Sequence, residues 1–284
     1  MMSTRCLLEH DRERFRGGEP AVTERDSLLS GRELHKQHMS KHGSQAPGER
    51  ELKARMVQPD PTASGPSSGY EVVLFDLDGT LIDPRLAITG SVQYALAQLG
   101  IVVDDLDRLL PFIGPPLVES FQRYYGLSHA QAIEAVQAYR HAFRERGMAH
   151  NQPYPGIDRL LADLHARGVA MAIATSKATV FAEEIAAALG FARWFEMIAG
   201  SNLDHTRVAK HEVIAHVLEQ RPHYRARSIV MVGDREHDIF GARAHGIDTI
   251  AVAYGYGSRQ EFDAAAPIAV AETVKHLGEL LGAW

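Results

Sequence analysis

Three apolar runs, each closing on polar residues, constrain this chain more than anything else in it. Val72-Val73-Leu74-Phe75 leads into Asp76-Leu77-Asp78-Gly79-Thr80. Val169-Ala170-Met171-Ala172-Ile173-Ala174 leads into Thr175-Ser176-Lys177, and Ile229-Val230-Met231-Val232 into Gly233-Asp234. Short runs rich in branched and aromatic residues, bounded by turn formers, read as buried strands. Around them helical spacing at 156–167, 179–189, 209–220 and 238–245 alternates with strand-like spacing at 169–174, about 195–200, 228–233 and 248–252. That alternation predicts an α/β fold, a doubly wound parallel sheet with helices on both faces. Ligands of such sheets bind beyond the carboxyl ends of the strands, where these polar residues fall.

Asp76 and Asp78 lie two apart, and on an extended chain such residues point to the same side. They converge on one site if the strand continues and diverge slightly if the chain turns at Gly79. Asp234 and Asp238 lie four apart and share a face if a helix begins near Asp234. One acidic strand end reads equally well as a helix cap. Its repetition on two strands points instead to pooled carboxylates. Such a pool repels itself, and three or four hard oxygen ligands suit Mg²⁺ rather than Zn²⁺. The fifteen histidines show no H-x-x-x-H helix pair with a carboxylate partner, so no zinc site is assigned, and His237 is read as pointing outward. Thr175 and Ser176, hydroxyls at a strand end ahead of a helix, form a candidate anion cradle. Lys210, ahead of the helical pattern Val213, Ile214, Val217 and Leu218, is a second phosphate-binding candidate.

Taken in order, Asp-x-Asp-Gly-Thr, a strand-end Thr, Lys, and Gly-Asp-x-x-x-Asp resemble the haloacid dehalogenase superfamily of phosphohydrolases. The likeness covers roughly residues 70 to 284 and is strongest to the branch with a helical cap, which holds phosphoglycolate phosphatases, 5′-nucleotidases and β-phosphoglucomutases. The resemblance implies a Rossmann-like core, Asp76 as nucleophile and metal ligand, and Asp78 as general acid/base. It implies Thr175 and Lys210 as holders of the transferring phosphoryl group. Asp234 would bind Mg²⁺, Asp78 would add its main-chain carbonyl, and Asp238 would orient the metal or its water. The activity implied is hydrolysis of a small phosphorylated metabolite through an aspartyl-phosphate. Phosphoglycolate is the nominal substrate, with nucleoside 5′-monophosphates as the alternative. Two rival classes are a phosphomutase, which hands the same phosphoryl group to a sugar, and a non-catalytic binding protein that keeps the fold.

Residues 84–154 carry helical spacing at Ile88, Val92, Ala95, Leu96 and Leu99, again at Leu117, Phe121 and Tyr124, and again at Ala132, Val136, Tyr139 and Phe143. They read as an all-helical cap inserted into a core of 69–83 and 155–284, with hinges at Asp83-Pro84 and Asn151-Gln152-Pro153. Closure of such a lid excludes water from phosphoryl transfer. Within the cap, Phe112-Ile113-Gly114-Pro115-Pro116 is a stiff turn that either joins two helices or faces the substrate. Gly114, Arg85 and Lys177 are candidate substrate contacts. Tyr254-Gly255-Tyr256-Gly257-Ser258 is a glycine-rich connection at the same sheet edge.

Residues 1–68 mix Arg, Glu, Asp, Ser, Gly and His with few apolar residues and read as a disordered extension. Met56 within it is a possible alternative start. The net charge of -6 gives no footing for a nucleic acid polymer, and no apolar stretch approaches a membrane span. A lone cysteine, Cys6, excludes an internal disulfide framework and fits a cytoplasmic setting.

Overall fold

The computed structural model describes residues 69–284; the extension read from residues 1–68 lies outside them. Val72–Phe75 forms β1, and all four side chains are buried. A strand covered on both faces has no solvent side, which is why its sequence is a continuous apolar run. The later strands are β2 (Ile82–Asp83), β3 (Gln152–Pro153), β4 (Ala170–Ala178), β5 (Met197–Ser201), β6 (Ile229–Gly233), β7 (Asp248–Val252) and β8 (Ala269–Ala271). Six of them make one sheet, ordered β5-β4-β1-β6-β7-β8, with every pairing parallel. Chain order reverses between β1 and β6, the switch point at which open α/β sheets bind ligands. Phe75 pairs with Ile173 on one side and Val232 on the other. The three motif-bearing strands therefore end level with one another.

From β2 to β3 the described chain is helical. It runs through α1 (Arg85–Gln98), a 3₁₀ segment at Leu106–Phe112, α2 (Leu117–Tyr125) and α3 (His129–Ala142). Ser128 and Gln131 cap the start of α3 reciprocally, and its end passes straight into a π turn at Phe143–Gly147. Phe112 seals the centre of this cap, edge-on to Phe121 and tilted against Tyr124 and Tyr125. Where bare hinges were expected, β2 and β3 pair antiparallel, Ile82 with Pro153 and Asp83 with Gln152. The chain enters and leaves the cap through a two-stranded ribbon.

The sheet is flanked by α4 (Ile157–Ala166), α5 (Thr179–Ala188), α6 (Lys210–Gln220), α7 (Glu236–Arg243), α8 (Arg259–Ala265) and α9 (Val274–Leu280). Val73 and Phe75 face α4, α5 and α9, while Val72 and Leu74 face α6 and α7. Burying each such side chain contributes about 1.5–3 kcal/mol. No helix among the described residues is long and apolar enough to cross a membrane.

Three local expectations are corrected. β4 does not stop at Ala174 but resumes pairing at Ala178 after a register shift, so Thr175 and Ser176 lie in a bulged stretch and do not cap α5. Ala-rich sequence carries no mark of where pairing ends. Helix α7 begins at Glu236, so Asp234 belongs to the preceding loop and shares no helix face with Asp238. Beyond β7 the chain adds α8, β8 and α9, elements of three to seven residues too short to carry a visible period.

Candidate active site

Asp76 is the first residue past β1, and its N–H still donates to Val232 O at 2.9 Å. Its Oδ1 accepts from Leu77 N–H at 2.7 Å and lies 2.9 Å from Lys210 Nζ. The chain then turns at Gly79, whose φ of 80° suits glycine and whose N–H donates to Ile82 O. This turn parts the two carboxylates. Asp78 Oδ2 accepts from Lys177 Nζ at 2.6 Å, and its Oδ1 is buried without a partner. Burial pushes the Asp78 carboxyl up, and the pull of Lys177 does not cancel it.

Lys210 opens α6 and is buried. Its Nζ lies 2.9 Å from Asp76 Oδ1 and 2.8 Å from Asp238 Oδ1, and donates to Ala174 O at 2.9 Å. Burial works to lower the lysine pKa, but Asp238 and Asp76 prevail and hold it protonated. Gly241 gives the stem room, since a Cβ there would lie 2.7 Å from Lys210 Cγ. Asp238, in the first turn of α7, also accepts from Arg235 N–H at 3.0 Å, so the helix-capping and the charged role coexist in one residue.

Asp234 follows β6. Its Oδ2 accepts from Tyr256 N–H at 2.7 Å, and its Oδ1 is buried with no partner. Burial, with Asp238 and Asp76 adding to it, raises the Asp234 carboxyl well above the usual range. Carboxylate oxygens of Asp76, Asp234 and Asp238 lie within 4.8 Å of one another. Lys210 offsets one of three charges. An orphaned buried oxygen among hard donors with a surplus of negative charge fits a divalent cation.

The glycine-rich loop after β7 borders this site. A Cβ on Gly255 would lie 2.4 Å from both Asp234 Cβ and Gly79 O, so only glycine lets the loop come close enough for Tyr256 N–H to reach the carboxylate. Tyr254 OH donates to Thr80 O, and Tyr256 OH bonds Asp83 in the ribbon below the cap.

The other candidates divide. Thr175 is buried with its Oγ1 accepting from Lys177 N–H at 3.3 Å, and half-buried Ser176 lines a cavity of about 300 Å³ beside Asp78. Gly114 and Lys177 line the same cavity; Lys177 is engaged with Asp78 and lies over the Phe143 ring, 4.5 Å from its centroid. Arg85 does not line it, because its guanidinium is turned to Asp107. Sequence reading passed over Arg235. Its guanidinium pairs with both Glu261 oxygens at 3.0 Å and donates to Ile113 O of the cap turn at 2.5 Å. Its place inside the acidic motif was the available signal.

Comparison with known proteins agrees with this architecture. Residues 73–252 match the haloacid dehalogenase-like hydrolase family. The chain is 50% identical over 198 residues to a 5′-nucleotidase of Pseudomonas aeruginosa, covering 70% of this chain and 89% of that protein. It is 30% identical over 217 residues to a phosphoglycolate phosphatase of Yersinia pseudotuberculosis, covering 74% and 91%. The solved structure of protein tyrosine kinase A (PtkA) from Mycobacterium tuberculosis superposes with a TM-score of 0.66, at 42% identity over 75% of this chain and 99% of that one. A matched family spanning most of the sheet, with relatives of this identity over most of their own length, establishes that the chain belongs to the haloacid dehalogenase-like hydrolases.

Proposed function

We propose that this chain is a magnesium-dependent phosphatase that hydrolyses a phosphate monoester through an aspartyl-phosphate on Asp76. One observation carries the reading: three buried carboxylates and a single lysine share the sheet's switch point, with Asp78 held separately beside a cavity. Phosphoryl transfer calls for this combination of positioning and charge neutralisation. Lys210 and Leu77 N–H both engage Asp76 Oδ1, so Oδ2 is the oxygen left for attack on phosphorus. As the Asp76–phosphorus bond forms, the ester P–O bond breaks, and the Asp78 carboxyl gives its proton to the leaving oxygen. Burial that raises the Asp78 pKa favours the protonated acid this step needs. Water then attacks phosphorus, Asp78 takes back a proton, and phosphate leaves Asp76. Asp76 and Asp234, with the Asp78 carbonyl, would hold Mg²⁺, and Asp238 would orient it. The bound ion supplies charge neutralisation to the phosphoryl oxygens.

For the substrate, a nucleoside 5′-monophosphate is favoured over phosphoglycolate. The cavity beside Asp78 is about 300 Å³, the size class of sites for whole small-molecule ligands, and glycolate would leave most of it unfilled. The 50% identity to a 5′-nucleotidase supports the same choice. The deciding experiment is phosphate release with Mg²⁺ from nucleoside monophosphates, phosphoglycolate and sugar phosphates, run beside Asp76→Asn. Release lost in the variant supports the reading. Conversion of β-glucose 1-phosphate without net release would replace it with a mutase, and silence on every ester with a binding protein.

A further inference from the structure

The cavity beside Asp78 has two chemically unlike parts. Ile88, Phe112, Leu117, Val136, Phe181 and Val208 make much of its wall apolar. Its basic residues are Lys177, Arg140, His129 and His205. Lys177 is already paired with Asp78 at 2.6 Å. Arg140 has no such partner: among the described residues no carboxylate comes within 4 Å of its guanidinium. It lies in the last turn of α3, beside the π turn, and its Nη1 donates to Leu203 O at 2.8 Å in the loop after β5. One hydrogen bond leaves most of its five N–H donors free. Partial burial pulls its pKa below the usual arginine value.

His205 belongs to that same loop and lines the same cavity. Its backbone is left-handed, with φ of 66°, a conformation that non-glycine residues adopt at a cost. The turn holding it is fixed by Thr206, which donates its N–H to Asp204 Oδ1 at 3.0 Å and accepts Asn202 N–H at 3.0 Å on its carbonyl. Burial and the neighbouring Arg140 lower the imidazole pKa, so at neutral pH the ring is an uncharged donor or acceptor. Arg140 from the cap and His205 from the core thus meet at the same chamber, which Glu119, Gln122 and His129 of the cap also border.

We infer that Arg140, with His205 beside it, determines specificity by binding an acceptor edge at the far end of the leaving group, while the apolar wall takes a flat ring. The inference rests on the phosphatase reading of Asp76. A guanidinium only donates. It suits the O6 and N7 of guanine, the O4 of uracil, or the carboxylate of an aromatic acid, and it disfavours the exocyclic amine of adenine. A pocket built to donate to a substrate discriminates strongly against an analogue without the acceptor, because the donor is then left unmatched.

The test is kcat/KM with Mg²⁺ for GMP, UMP, AMP, 4-carboxyphenyl phosphate and phenyl phosphate. It is run on the full chain and on its Arg140→Gln and Arg140→Lys variants. The acceptor-bearing esters should exceed AMP and phenyl phosphate by at least about tenfold. Arg140→Gln should erase that ratio, chiefly through KM, and Arg140→Lys should restore part of it. A ratio lost for GMP and UMP identifies a base carbonyl; a ratio lost only for the carboxyphenyl ester identifies a carboxylate. If Arg140→Gln lowers all five esters by one factor, or changes none, Arg140 merely braces the cap on Leu203 and the inference falls while the phosphatase reading stands. No turnover of any ester by the unmodified protein removes both. Should the Arg140 variants fail to fold, His205→Asn, which tolerates the left-handed backbone, reads out the same ratio.

Discussion

Lys177 Nζ sits 2.6 Å from Asp78 Oδ2, and both side chains are almost closed to water. The lysine is therefore the charge partner of Asp78, and its ammonium also lies over the ring of the cap residue Phe143. Lys177→Met keeps the stem and removes the charge. It leaves a buried carboxyl unpaired, with a cost of about 3 kcal/mol when that group is ionised. Without Lys177 the folded-state pKa of Asp78 rises further above its unfolded value of about 3.9. A raised carboxyl keeps in the folded state a proton that the unfolded chain gives up. The loss should be small below about pH 4 and grow as pH rises through the folded pKa. Denaturant titrations at pH 5 and pH 8 measure it, and equal losses at both would contradict the pairing.

Asp234 should weaken the fold when no metal is bound and strengthen it when metal is. The folded-state pKa values of Asp234 and Asp238 are both raised, so without metal their contribution to stability falls as pH rises above about 4. Asp234→Asn removes one of the repelling charges and should raise stability in chelator at pH 7.5 by on the order of 1 kcal/mol, read as a higher melting temperature. Added Mg²⁺ should stabilise the unmodified protein with a concentration dependence that this variant loses. A variant still stabilised by Mg²⁺ would remove Asp234 from the ligand set.

Gly255→Ala is expected to be severe. Its Cβ would meet Asp234 Cβ and Gly79 O at 2.4 Å, both on well-fixed chain. Relief requires the loop to withdraw, and the Tyr256 N–H bond to Asp234 goes with it. A loss of about 2–3 kcal/mol is expected from overpacking and the broken charged hydrogen bond together. Thermal unfolding checks it; wild-type stability would show that the loop can withdraw from Asp234 without cost.

Arg235→Ala should loosen the cap turn more than the core. It deletes the paired contacts to Glu261 and the bond to Ile113 O, costing about 2 kcal/mol. Amide exchange should quicken across residues 112–116, and KM should rise more than kcat falls. Unchanged exchange there would mean that the turn is held by its own packing.

The sheet was legible because buried parallel strands have no polar positions to blur their ends, and β1, β6 and β7 begin and end within a residue of where their runs do. The gathering of Asp76, Lys210, Asp234 and Asp238 followed from the same level ends. What escaped was pairing set by direction alone. Nothing local distinguishes Lys177, turned inward to Asp78, from Arg85, turned outward to Asp107. Arg140 and Arg235 owe their places to a cap and core that meet far apart in sequence.

The ribbon of β2 and β3 gives the cap a particular standing. Ile82 and Pro153 are paired neighbours, so the core sees the whole helical insertion as the loop of one hairpin. Closing that loop is already done by the ribbon, whatever length of chain lies beyond it. A chain built this way can exchange its lid for another, or lose it to a short turn, without asking the sheet to change.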